Sequence, residues 1–266
     1  MNVPEAIAAL EGLPRALPEL PGRVRLVLED PVPRLVIDNP TARNALTVGM
    51  MIDLARAVDA LGHSEVAGLV IMAEGKAFCA GGHLDQVMAA IAGPAEARVM
   101  CDAMTAVLDG LLALPILTVA AIDGLAIGGG AELATAADFR IFGPAGRFRL
   151  VQASLGIASG WGGVGRLVRH VGRGTALRLA ATSRMVDGPD AVALGLAEPV
   201  DAADGALAAA ERFLAELSAP PAAIRAAKIQ VAAAETGDHA AAAAAFAALW
   251  GGPTHRAALA RLGWGS

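Results

Sequence analysis

Two short stretches of the 266-residue chain hold the residue types from which a site that activates a carbonyl group can be built. The first is Lys76-Ala77-Phe78-Cys79-Ala80-Gly81-Gly82-His83-Leu84. The second is Ile122-Asp123-Gly124-Leu125-Ala126-Ile127-Gly128-Gly129-Gly130-Ala131-Glu132-Leu133. In both, glycines let the backbone approach a ligand closely. The second also opens onto a helical stretch, whose first amides lack intrahelical acceptors and sit at the positive end of the helix dipole. Two such amides aimed at one oxygen would stabilise a developing oxyanion, an effect worth about 3 kcal/mol per donor. Glu132 falls in the first helical turn beside that point, either as a carboxylate that takes a proton from water or as one that complements the dipole. His83 is of the side-chain type that changes charge nearest neutrality, a candidate for proton donation or phosphate contact; the alternative is a surface histidine whose backbone alone matters. Gly128-Gly129-Gly130 fits neither a dinucleotide-binding nor a phosphate-loop spacing.

Taken together, these stretches resemble the enoyl-CoA hydratase/isomerase (crotonase) family, from about Val24 to about Val200. Ala42-Arg43-Asn44-Ala45-Leu46 is similar to the family's first CoA-contacting stretch. Ala77 to Gly82 is similar to its first oxyanion segment, and Pro115 to Gly124 with Gly128 to Leu133 to its second. Ala137-Asp138-Phe139-Arg140-Ile141, Leu155-Gly156-Ile157 and Gly160-Trp161-Gly162-Gly163 continue the pattern.

The resemblance implies an α/β fold, a spiral of ββα units with a C-terminal helical region used for trimers or dimers of trimers. It implies an acyl-CoA substrate, with coenzyme A as part of that substrate and no separate cofactor or metal. The amides of Gly82 and Gly129 would hold the thioester oxygen as it becomes an enolate. Ala42, Ala45, Ala80, His83 and Leu84 would line the CoA side. Hydratases of the family carry two glutamates. Glu132 occupies the place of one; the other place is held by Gln152, whose neutral amide orients a water but exchanges no proton with substrate. Where the family usually has an acid after the first oxyanion segment, this chain has His83. The expected activity is hydration of a 2-enoyl-CoA, with Glu132 as base and Gln152 holding the water. An enoyl-CoA isomerase and a non-catalytic acyl-CoA binder remain the alternatives, followed by decarboxylase or hydrolase variants.

The chain must position these residues with an unusual composition: 55% hydrophobic, 18% charged, no tyrosine and 31 glycines. A domain of this length buries about 70–75% of its unfolded surface, so a large core is available. The longest apolar run, Leu111 to Ile122, is broken by Pro115 and falls short of the roughly 20 residues a membrane span needs. Glu5 and Glu11 precede Arg15, unlike the basic start of a secretory signal. A net charge of −5 argues against a nucleic-acid surface. Cys79 and Cys101 make neither a disulfide framework nor a zinc spacing, which gives a reducing, cytoplasmic setting as the expectation.

Periodicity then supplies the elements. Residues 1–22 read as an extension with one short helix at most, 23–200 as the core and 201–266 as a helical region. Val24 to Glu29 and Arg34 to Asp38 read as a hairpin across Asp30-Pro31-Val32-Pro33. Met50 to Leu61 has helical spacing. Gly68 to Ala73, Ile116 to Ile122 and Phe139 to Phe142 read as strands, and Ala131 to Ala137, Leu177 to Thr182 and Pro189 to Gly195 as helices. Ala206 to Leu217, Pro221 to Ala234 and Ala240 to Leu249 complete the helical tail, whose run of alanines reflects helix propensity. Eight arginines and no acid lie between Phe139 and Val186, available for CoA phosphates, subunit contacts or solvent.

Overall fold

The computed structural model describes residues 1–14, 17, 20–29, 32–64, 66–216 and 219–264. The start of the expected hairpin turn (Asp30-Pro31) and the expected helix end at Leu217 lie outside these residues.

The N-terminal residues form α1 (Val3–Glu11), closed by a capping box in which the Asn2 side chain accepts from Glu5 N and the Glu5 carboxylate accepts from Asn2 N, each at 2.9 Å. Ala6 and Leu10 of α1 are fully buried, so the helix belongs to the core. β1 (Arg23–Val27) pairs antiparallel with β2 (Arg34–Asp38), and the chain continues through α2 (Val48–Gly62) to β3 (Gly68–Ala73). After α3 (Leu84–Ala90) and α4 (Pro94–Ala113) come β4 (Leu117–Ile122), β5 (Leu125–Ile127), α5 (Gly129–Ala134), β6 (Phe139–Phe142) and β7 (Arg147–Arg149). α6 (Gly163–Thr182) is broken at Gly172, and β8 (Val186–Asp187) and α7 (Gly188–Ala193) follow. The tail is α8 (Ala206–Ala215), α9 (Pro221–Thr236), α10 (His239–Ala247) and α11 (Pro253–Arg261).

Two sheets result, one in the order β1-β2-β3-β4-β6 and one in the order β5-β7-β8. Chain order explains how they interlock. β4, β5 and α5 form one turn of a spiral, and β6, β7 and α6 form the next, each turn giving one strand to each sheet and then a helix. Earlier turns follow the same path with single-residue bridges in place of strands: Leu46 pairs with Gly82, and Cys79 pairs with Ala126. This is the expected ββα spiral. Its central strands are buried on both faces, which is why β3 and β4 read as continuous apolar runs. One face packs on α1, α2 and α4, and the other on Ala206, Ala209 and Ala210 of α8.

α9 is fastened to this core by Lys228, whose Nζ donates to Ile116 O at 2.8 Å and to Asp138 Oδ2 at 2.9 Å. Beyond it the tail is largely exposed, including Ile229, Val231, Phe246, Trp250, Leu262 and Trp264. Among the described residues, no helix is long and apolar enough to cross a membrane.

Candidate active site

The spiral places residues 79–83 between two neighbouring chain segments. On one side Leu46 N donates to Gly81 O at 2.7 Å and His83 N to Leu46 O at 2.8 Å; on the other Cys79 N donates to Leu125 O and Ile127 N to Cys79 O, both at 2.9 Å. Gly81 has φ +90°, a conformation open to glycine. A Cβ added there would lie 2.9 Å from Gly129 N, so the two glycine stretches touch. Ladder bonds consume the amides of Cys79 and His83. Those of Gly82 and Gly129 have no acceptor among the described residues. Gly129 is the first residue of α5, where no intrahelical acceptor exists. Two neighbouring unpaired amides are the arrangement that receives a developing oxyanion.

Glu132 lies one turn into α5 and is 1% exposed. Its carboxylate accepts from five donors: Oε1 from Gln152 Nε2 at 2.7 Å and Gly160 N at 3.3 Å, and Oε2 from Ser159 Oγ at 2.5 Å and from Trp161 N and Gly163 N at 2.8 Å each. A carboxylate offers about four lone-pair sites. No direction remains from which Glu132 can accept a further proton without releasing one of these partners. The sequence expectation is Glu132 acting on water with Gln152 holding that water; in the structure the Gln152 amide group donates to Glu132 itself. The Oε1 of Gln152 is buried and has no partner among the described residues.

The residues expected to line a CoA side are joined to the glycine stretch by backbone bonds. The turn Pro40–Ala42 carries half-buried Ala42, and Ala45 is buried. Arg43 O accepts from Ala80 N at 3.1 Å, and the fully buried Asn44 donates through Nδ2 to Glu74 O and Ala77 O at 2.7 Å each. His83 caps α3 without a side-chain cap bond, and its Nδ1 is buried and unpartnered among the described residues. Leu84 is exposed.

Sequence reasoning missed three contributors: Ser159, the backbone amides of Gly160, Trp161 and Gly163, and Arg166. Arg166 is buried and donates to Trp161 O, to Asp109 Oδ1 at 2.6 Å and to Thr135 Oγ1 at 3.3 Å. Burial lowers its pKa, opposed by its bond to Asp109. The basic segment thus has structural work. Arg140 is also buried, which pushes it down to about 10, and it donates to Leu196 O, Ala137 O and Asp138 O. Arg147 and Arg149 hold backbone carbonyls, Arg184 pairs with Asp190 and Arg169 with Glu235. Of the eight, Arg173 and Arg178 have no such partner among the described residues and are exposed. Cys79 is fully buried, which raises its thiol to about 12. Cys101, half-buried, is raised by burial first and by the charge of Glu132 second.

Residues 29–258 match the family described as enoyl-CoA hydratase/isomerase. Among curated proteins, the ethylmalonyl-CoA decarboxylase of Gallus gallus is 37% identical over 236 residues, which cover 85% of this chain and 79% of that protein. That of Danio rerio is 37% identical over 238 residues (85% and 78%), and that of Xenopus laevis 39% over 173 residues, 65% of this chain and 58% of its own length. Among solved structures, an enoyl-CoA hydratase from Polaromonas sp. JS666 superposes with TM-score 0.80 at 25% identity, covering 91% of this chain and 97% of that one. Pseudomonas aeruginosa AtuE superposes with TM-score 0.80 at 32% identity, covering 86% and 92%. With the family matched from residue 29 to 258 and the ββα spiral carrying two unpaired amides at its glycine stretches, the chain belongs to the enoyl-CoA hydratase/isomerase family.

Proposed function

We propose that the chain decarboxylates an acyl-CoA bearing a carboxylate at C2, an alkylmalonyl-CoA of the ethylmalonyl-CoA type. The observation that carries this reading is the full occupation of Glu132 by five donors beside the neutral Gln152. Hydration needs a free carboxylate to take a proton from water. Loss of CO2 needs none. The thioester oxygen sits between the amides of Gly82 and Gly129. The bond from C2 to its carboxylate breaks, its electron pair remains on the thioester as an enolate, and the amides stabilise the charge on oxygen. Water then supplies one proton to C2, giving the saturated acyl-CoA. The relatives named ethylmalonyl-CoA decarboxylase support the choice of substrate.

The test incubates the protein with ethylmalonyl-CoA and methylmalonyl-CoA in D2O and measures CO2 release and deuterium at C2 by mass spectrometry, with crotonyl-CoA hydration measured in parallel. Release of CO2 with one deuterium at C2 is expected. Loss of crotonyl-CoA absorbance without CO2 release from either substrate would return the reading to hydratase; binding of every thioester without turnover would return it to a non-catalytic binder. The exposed apolar residues of α9 to α11 support self-association as a homotrimer or a dimer of trimers, to be read by light scattering.

A further inference from the structure

Trp161 has a place at this site that the chemistry above does not use. Its indole is buried and packs against both glycines whose amides are unpaired. A Cβ on Gly129 would lie 2.6 Å from Trp161 Cη2 and 2.7 Å from Cε3, and one on Gly82 would lie 3.7 Å from Cζ2. The same position on Gly82 is 2.9 Å from Val87 Cγ2 and 3.5 Å from Met51 Cε, so the surroundings are apolar. The main chain of Trp161 is held from both directions: its N–H donates to Glu132 Oε2 at 2.8 Å and its carbonyl accepts from buried Arg166. Gly160 and Gly163 on either side bond to the same carboxylate. A segment fixed at four points presents its ring as a wall.

We propose that Trp161 is the specificity-determining wall for the substituent carried at C2 of the bound thioester. An oxygen held by the two amides lies about 2.9 Å from each nitrogen. C2 is bonded to the carbon that bears this oxygen, so what C2 carries reaches the ring packed on the same two glycines. Trp161 then limits the bulk of an alkyl branch, and Glu132 and Arg166 act as positioning residues that keep the ring in place. The inference rests on the thioester oxygen sitting at Gly82 and Gly129, and not on what happens to the thioester afterwards.

Calorimetry with non-reacting ligands tests it. Butyryl-CoA, 2-methylbutyryl-CoA and 2-ethylbutyryl-CoA are titrated into wild type, Trp161→Phe and Trp161→Ala, with the melting midpoint and CO2 release from ethylmalonyl-CoA measured on each protein. Wild type is expected to bind butyryl-CoA better than 2-ethylbutyryl-CoA. Trp161→Ala is expected to shrink or invert that ratio by about tenfold or more, the scale of one methylene in an apolar pocket, and Trp161→Phe to move it the same way by less. A ratio that stays constant, a common weakening of all three ligands, or a wild type that binds none of them overturns the proposal. If Trp161→Ala has no cooperative melt, the ratio in Trp161→Phe decides alone. A shifted ratio in a protein that releases no CO2 removes the decarboxylase reading and leaves the wall; CO2 release with an unshifted ratio does the reverse.

Discussion

Replacing Glu132 by glutamine separates a base from an anchor. The change removes the charge and turns one of two acceptor oxygens into a donor. Placed at the present Oε2, the new nitrogen would face Trp161 N and Gly163 N, which can only donate, and Ser159, whose hydroxyl would have to turn to accept. Placed at the present Oε1, it faces Gln152, which can turn its amide and accept with the oxygen that now has no partner, and only the 3.3 Å bond from Gly160 is given up. The second arrangement wins. What is lost is charge assistance on the remaining bonds, which falls from about 1.5–3 to about 0.5–1.5 kcal/mol each. Over three bonds the cost is about 3 kcal/mol. In a chain of this size that lowers the melting midpoint by about 6–12 °C. The loop from Ser159 to Gly163 keeps its course, so decarboxylation is expected to fall by less than about tenfold. A general base behaves in the opposite way, losing about 10²–10⁴-fold in rate when neutralised. Thermal melts and single-turnover CO2 release on Glu132→Gln give both readouts. A melting midpoint unchanged from wild type with activity down by more than a hundredfold would refute the anchor assignment.

Further expectations follow from neighbouring contacts. His170 is pushed down to about 4, by burial first and by the Arg140 charge second. Above its unfolded pKa of about 6.5 it is neutral in both states; below it the unfolded chain gains a proton that the folded chain refuses, so stability drops by about 1.4 kcal/mol per pH unit down to about 4. Urea midpoints at pH 7 and pH 5 should show wild type losing about 2 kcal/mol more than His170→Gln, and equal losses would count against it. Lys228→Ala breaks a largely buried pair with Asp138 and should cost about 3 kcal/mol, with hydrogen exchange rising first in α9. Gly130→Ala and Gly129→Ala should part company. The first drives a methyl into the backbone of Cys79 and should prevent folding, whereas the second meets the Trp161 ring and should fold with acyl-CoA binding impaired. Soluble, cooperatively melting Gly130→Ala would contradict this.

Much of the spiral could be read from residue order because its strands end where glycine, proline or asparagine interrupt short apolar runs. β2, β3 and β6 fall at their expected bounds for this reason. β5, β7 and β8 are two or three residues long and owe their existence to neighbours in the sheet, so no periodicity marks them. α4 carries no clear mark because the run from Leu111 to Ile122 joins the end of a helix to a strand, and the first half of α6 carries none because charged Arg166 holds an inward position and blurs the apolar spacing. The N-terminal prolines mark an extension with one short helix at most; α1 is a short helix there, with Pro4 in its first turn, and what the prolines do not show is that Ala6 and Leu10 pack it on the core.

The site divides along a similar line. Glycine where two backbones nearly touch is a requirement of residue type, and so the stretches around Gly82 and Gly129 stand out in the sequence. The state of Glu132 is not of that kind. Three of its five donors are backbone amides 28, 29 and 31 residues further along, and a backbone amide has no letter in the sequence. A glutamate in the first turn of α5 is a base when that later loop stands away from it and an anchor when the loop closes on it. The residue types around it agree with this division: glycines at 160, 162 and 163 allow the close approach, with the Gly163 Cα near enough that an added Cβ would lie 2.7 Å from Glu132 Cβ. Gly163→Ala should therefore displace the Glu132 side chain and free the loop without touching the carboxylate's chemistry. If its activity and CoA-ester selectivity both stay at the wild-type level, the loop is not what Glu132 serves.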